Sequence, residues 1–171
     1  YLIRLGSFPG QAGGPGTFAV RCAVPEPCAE PAGNCQPQNR TDALISNRTD
    51  FLIADDFATA TAGSITELCW WGAYQGADGF DCQGVSPDSF EVRYFLDLHG
   101  VPGALLAAFS QSGGTLAVDG PVRTNFLIAG SAPEYAYSAV HAGVAVITGV
   151  RYWVEISNAI AGCTWLWEVG R

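Results

Sequence analysis

The chain has 171 residues, 49% of them hydrophobic and only 14% charged, against about 25% charged in a typical soluble protein. Its formal charge is −8, and all 8 basic residues are arginine. This balance excludes the basic patches that nucleic acids and anionic membranes need. No apolar run approaches the roughly 20 residues that cross a bilayer as a helix. The length suits one ordinary domain with a full core.

Residues 1–16 read as an isolated apolar strand, "YLIRLGSF", followed by the glycine-rich linker "PGQAGGPG". Tyr1, taking the place of an initiating Met, is read as a processed or truncated start. A single strand has no stability in water, so Tyr1, Leu2, Ile3, Leu5 and Phe8 need a host sheet. Two hosts are open: the chain's own sandwich, or a neighbouring copy in the donor-strand mode, which repeated head to tail makes a filament.

Residues 17–50 form a second region. A strand over 17–24 leads into a Cys/Pro-rich loop, "PEPCAEPAGNCQPQNRTDALISNRTD". The loop carries two sequons, Asn39-Arg40-Thr41 and Asn47-Arg48-Thr49, so Asn39 and Asn47 are candidate glycosylation sites. The other reading is chance in a polar loop.

The six cysteines, Cys22, Cys28, Cys35, Cys69, Cys82 and Cys163, are even in number and form no CxxC pair. They indicate a disulfide framework in an oxidising compartment, so a secreted or cell-surface location is expected. Spacing alone leaves the pairing open. A Cys69–Cys82 bridge closing a hairpin is the expected first pair. The remaining cysteines would then pin the N-terminal extension to the last strands.

From residue 51 to 171 the pattern is that of a β-sandwich domain. "SFEVRYFLDL" and "GVRYWVEIS" alternate apolar and polar residues, as half-buried antiparallel strands do. Further strands are predicted at 51–57, 64–75, 104–110, 115–119, 122–129, 134–140 and 163–169, separated by Gly/Pro turns such as "VDGP" and "SQSGG". No apolar stripe of helical period is sustained. The expected fold is all-β: a two-sheet antiparallel sandwich, jelly-roll-like, with a disulfide-pinned N-terminal extension.

Catalytic constellations are not legible. Asp55 and Asp56 are adjacent, so on a strand they face opposite ways. His99 and His141 are far apart, and no nucleophile elbow is present. The expectation is a non-enzymatic protein that needs no cofactor. A structural calcium at Asp55, Asp56, Asp78, Asp81 or Asp97 is the one metal reading considered. Its alternative is that these aspartates cap their own turns.

Five tryptophans are informative. In "CWWGAY", Cys69 and Trp71 share one strand face, and Leu68 and Trp70 the other. Only one tryptophan of the pair can therefore meet solvent. Trp165 and Trp167 share a face, and Trp153 lies on the polar face of its strand. Trp71, Tyr74, Trp153, Trp165 and Trp167 are candidates for a sugar-stacking platform. The competing expectation is aromatic packing in the core or between subunits.

In order, "FLIADDF", "AGSITELCWWGAY", "DSFEVRYFLDLHGVPGALLAAF", "YWVEISN" and "CTWLWEVG" resemble uncharacterised β-sandwich modules of secreted bacterial proteins. Many of those modules carry a C-terminal sorting or anchor signal. The likeness covers about residues 51–170. It implies a fold and carries no activity. The cysteines depart from the pattern, and no such tail is seen before Arg171. The two functions weighed are a structural module of the cell surface or extracellular matrix, whose partners are copies of itself, and a carbohydrate-binding module for an extracellular polysaccharide.

Overall fold

The computed structural model describes residues 38–47 and 52–170. Nine strands follow one another: β1 (Gln38–Ile45), β2 (Ala54–Ala58), β3 (Gly63–Gln75), β4 (Phe90–Asp97), β5 (Pro102–Ser110), β6 (Leu116–Ile128), β7 (Ala132–Val146), β8 (Arg151–Asn158) and β9 (Thr164–Gly170). A five-stranded sheet runs β1-β9-β3-β7-β6 and a four-stranded sheet runs β2-β8-β4-β5. All pairings are antiparallel. With β6 set aside, β1-β9-β3-β7 faces β2-β8-β4-β5, the strand order of a jelly roll. The expected sandwich is therefore present, and β6 is an added edge strand.

Alternation decides which faces meet. On β4, Phe90, Val92 and Tyr94 are buried while Glu91, Arg93 and Phe95 stand on the other face, half-buried. On β3, Trp70 and Tyr74 turn inward and Trp71 outward, half-buried. On β9, Trp165 and Trp167 both turn inward. Phe90 is the hub of the core. Its ring meets Trp70, Tyr137 and Trp165 edge-on at 5.1, 5.0 and 5.2 Å between centroids, while Trp70 stacks on Tyr137. Edge-to-face contacts of this kind add to the area-dependent burial of large rings.

The chain leaves the five-stranded sheet for the four-stranded one at Ser46. This fully buried residue donates its hydroxyl to the Ile156 carbonyl at 2.6 Å and its N–H to the Trp165 carbonyl at 3.2 Å. Its own carbonyl accepts the Asn158 N–H. Ser46 thus joins β8 and β9 across the crossing, satisfying backbone groups that no ladder reaches.

Three expectations change. Residues 38–45, read as loop, form β1, because a polar stretch can serve as an edge strand when only part of it is covered. The turn expected at "VDGP" is absorbed within β6 as a register shift between Asp119 and Val122. The expected Cys69–Cys82 bridge is replaced by Cys82–Cys163, with a Cα separation of 5.8 Å. The reason is topological: β3 pairs with β7 and β9 rather than with the segment after it. Cys82 therefore lands beside the start of β9. Cys69 is also disulfide-bonded, to a partner outside the described residues. The candidate donor strand at 1–8, the strand at 17–24 and Cys22, Cys28 and Cys35 lie outside the described residues as well. Asn39 lies within β1, and Asn47 just beyond it.

Candidate functional site

The aromatic platform does not assemble as drawn from the sequence. Tyr74, Trp165 and Trp167 are core residues, exposed by 1%, 0% and 7%. Their strands present them inward, where ring area is removed from water. Trp71 and Trp153 stand half-buried on the outer faces of opposite sheets. The five residues cannot meet one ligand together.

What remains is a smaller patch on the outer face of the four-stranded sheet. Phe95 and Trp153 are direct cross-strand partners. The Trp153 indole N–H donates to Asp97 Oδ1 at 2.9 Å. That bond is the main reason the half-buried Asp97 carboxyl sits below the ordinary aspartate value. Two residue pairs further along, on the same face, Arg93 faces Glu155 and binds it through both Nε, at 2.7 Å, and a terminal nitrogen. Arg93 also lies 3.6 Å from Glu91. Arg151 pairs with Asp56 at 3.3 Å. The face is therefore a band of aromatic and paired charged groups rather than an open acidic cleft.

Inside the sandwich, tyrosines carry a polar network. The Tyr74 hydroxyl donates to Asp88 Oδ1 at 2.6 Å and accepts from the Tyr137 hydroxyl. Asn158 Nδ2 donates to the same Asp88 oxygen, and Asn158 Oδ1 accepts the Ser89 N–H. Tyr135 donates to Asp81 Oδ2 at 2.6 Å. Burial pushes Tyr74 and Tyr137 far above the usual phenol range, and Tyr135 up to about 12. These hydroxyls stay protonated and serve as donors, not as bases. At the other end, His141 Nδ1–H donates to the Ala142 carbonyl, and its Nε2 is hydrogen-bonded to the Tyr94 hydroxyl 3.0 Å away. Its ring stacks on Phe109.

The five aspartates considered for calcium are placed separately. Asp55 faces inward on β2, and burial raises its carboxyl above the ordinary value. Asp56 meets Arg151. Asp78 and Asp81 accept the backbone N–H groups of Phe80 and Gln83 in their own turns. Asp97 holds Trp153. Among the described residues no group of three or more His, Cys, Asp or Glu side chains converges. Likewise, among them no helix is long and apolar enough to cross a membrane.

A further cluster escaped sequence reasoning. The β1–β9 register shifts between Gln38 and Ala43, and Arg40 adopts a left-handed φ of 54° in that bulge. Its guanidinium Nε lies 3.2 Å from Glu134 Oε2 on β7, and its plane covers Phe126 on β6 at 3.4 Å. The Arg40 N–H donates to Glu168 Oε1 on β9 at 2.6 Å. Thr124 Oγ1 donates to Glu134 Oε1 at 2.6 Å. Glu134 is 0% exposed and Glu168 5%. Two buried carboxyls on strands separated by β3 have no sequence signature; only the sheet order brings them together. Comparison with known protein families, curated proteins and solved structures finds no match for this chain.

Proposed function

We propose that the chain is a non-catalytic structural module of a secreted or cell-surface assembly, built by contacts between copies of itself. One observation supports this reading above others: among the described residues β5 is an edge strand of the four-stranded sheet, opposite β2, and β5 has no charged residue. Sheet edges are ordinarily blunted by charge, proline, shortness or bulges. The other three edges follow that rule. β1 is bulged and carries Arg40 and Asp42; β2 has five residues, two of them Asp; β6 holds Asp119, Pro121 and Arg123 with two register shifts. β5 opens on Pro102 and has register shifts on either side of Leu105, but it lacks charge and continues in register from Ala107 to Ser110. Around it Leu96, Leu98, Val101, Leu105 and Leu106 are all exposed. An apolar edge of this kind suits strand addition from a second copy. The segment 1–8 has the length and apolar character of such a strand. The Cys82–Cys163 bridge is consistent with an oxidising, extracellular setting.

The test is the size of the native, unreduced protein across a concentration series, by sedimentation or light scattering. Wild type should form higher species. Deletion of residues 1–10 and Leu105→Lys should each yield monomer if the N-terminal strand is donated to β5. Loss of assembly in Leu105→Lys alone points to edge-to-edge pairing instead. A wild-type monomer at every concentration overturns the proposal.

A second reading rests on the Phe95–Trp153 pair, whose indole Asp97 orients on an outer sheet face. Such a pair can stack on a sugar ring of an extracellular polysaccharide. Titrating glycans while following tryptophan emission, with Trp153→Phe as control, separates it from the first.

A further inference from the structure

The outer face of the five-stranded sheet contains a buried acid pair whose hydrogen bonding is incomplete without a proton. Glu134 has both oxygens engaged: Oε1 accepts from Thr124 and Oε2 from the Arg40 guanidinium. Glu168 has only Oε1 engaged, by the Arg40 N–H. Its Oε2 is buried and has no donor. Both carboxyls bind the same residue, Glu134 through the Arg40 guanidinium and Glu168 through the Arg40 N–H, so the two acids share one buried cluster in which Glu134 acts on Glu168. Two ionised carboxylates are acceptors only and repel in such a cluster, whereas one carboxylic acid supplies the missing donor. The site's own partners say which residue holds the proton. Glu134, saturated with donors, is the carboxylate; Glu168 is the acid, donating from Oε2.

We propose that this shared proton is the ligand of a latch that fastens the β1 bulge to the five-stranded sheet, and that losing it loosens β1 from β9 and from the β6–β7 turn. Among the described residues the latch has three anchor points on Arg40: the guanidinium on Glu134 and over Phe126, the N–H on Glu168, and the carbonyl accepting the Ala129 N–H at 3.0 Å. A non-glycine residue held at positive φ persists only where its surroundings over-determine it. With the proton in place, the acid pair presents one negative charge to Arg40. When the proton leaves Glu168 for solvent, two buried negative charges face Arg40, and the second lacks a full complement of donors.

No other described charge on the packed elements offsets the second negative charge. β1 contributes Arg40, and Asp42 is exposed on the same bulge. β6 contributes the neutral Thr124 and Phe126, and Arg123 is exposed one residue away, paired in register with the inward Tyr135. β3 places Trp71 and Ala73 between the two acids, with no titratable group. Burial, reinforced by Glu134, raises the Glu168 carboxyl to about 7, so the proton is exchanged in the neutral range. A raised acid stabilises the docked state fully below the ordinary glutamate value. That contribution is lost as pH rises through about 7.

The test is amide hydrogen exchange on the full, disulfide-intact chain at pH 5.5 and 8.5, about 1.5 units either side of the transition, with intrinsic rates divided out. In wild type, protection of the Arg40 and Ala129 amides should fall by about tenfold or more at the higher pH. Glu168→Gln should remain protected at both, because its amide donates to Glu134 and its carbonyl still accepts from Arg40. Equal wild-type protection at both pH values overturns the latch, and so does an unchanged pH response in Glu168→Gln. Should Glu168→Gln not fold, infrared spectroscopy of wild type decides. A protonated-carboxyl stretch persisting at pH 6, well above the ordinary carboxylate range, supports the shared proton, and its absence overturns it.

Discussion

Trp165 lies directly over Gly72. A Cβ placed on Gly72 would fall 2.8 Å from Trp165 Nε1 and 2.5 Å from the Leu166 carbonyl oxygen. The glycine is required for the close approach of β9 to β3, since Trp165 is fully buried in the aromatic core. Gly72→Ala is expected to destabilise the fold by roughly 1–3 kcal/mol through overpacking. Chemical denaturation with unchanged m-value checks it.

Ser46 holds the crossing between the sheets. Ser46→Ala removes the donor to the Ile156 carbonyl and the acceptor facing the Ile53 N–H. Leaving buried backbone polar groups unmatched costs about 1–3 kcal/mol. Ser46→Thr retains the hydroxyl but adds a methyl at a site with 0% exposure. It should therefore fall between wild type and Ala in thermal unfolding.

The Cys82–Cys163 bridge spans a sequence separation of 81. In the chain-entropy view a closed loop of that size contributes about 4.5 kcal/mol. Replacing both cysteines by Ser should lower the denaturation midpoint accordingly, while near-native strand content remains. Alkylation without reductant should leave Cys69, Cys82 and Cys163 unmodified in wild type, read by peptide mass.

Asp97 titrates below the ordinary aspartate value chiefly because the Trp153 indole bonds its charged form. In Trp153→Phe the carboxyl should titrate at higher pH, toward the unperturbed value. With a depressed folded-state value, the bond's stabilisation is present above the unfolded value and fades as pH drops through the folded one. Following the Asp97 carboxyl carbon by NMR in both proteins tests the direction. An unshifted titration in the variant would leave the Gly100 N–H and the nearby charges as the sole cause.

β4 and β8 were legible because each alternates cleanly and pairs along its whole length, Phe90 with Asn158 through Leu96 with Tyr152. That Trp70 and Trp71 face opposite ways also followed from period two. β1 was not legible. Its residues "QNRTDALI" carry turn and sequon chemistry, and what makes them a strand is the distant pairing with β9 and the anchoring of Arg40. The cysteine pairing failed for a related reason, since sequence proximity suggested a hairpin where β3 runs into the middle of a sheet. Trp165 and Trp167 were correctly placed on one face. Which face was core depended on the opposing Phe90, and no local pattern contains that residue. Glu134 and Glu168 lie on two strands far apart in sequence, with no local pattern that joins them. Burial under the β1 bulge makes them a pair.

The adjacency of β1 and β9 has a consequence for how the molecule comes into being. The first and last described strands are neighbours, and β9 lies between β1 and β3. While a nascent chain still lacks residues 164–170, β1 has no ladder partner among the described residues, and Trp70 and Tyr74 lack the Trp165 side of their core. Cys82 must likewise wait for Cys163. The five-stranded sheet can therefore close only after synthesis has delivered β9, and folding at that step is dominated by slow, sequence-distant contacts.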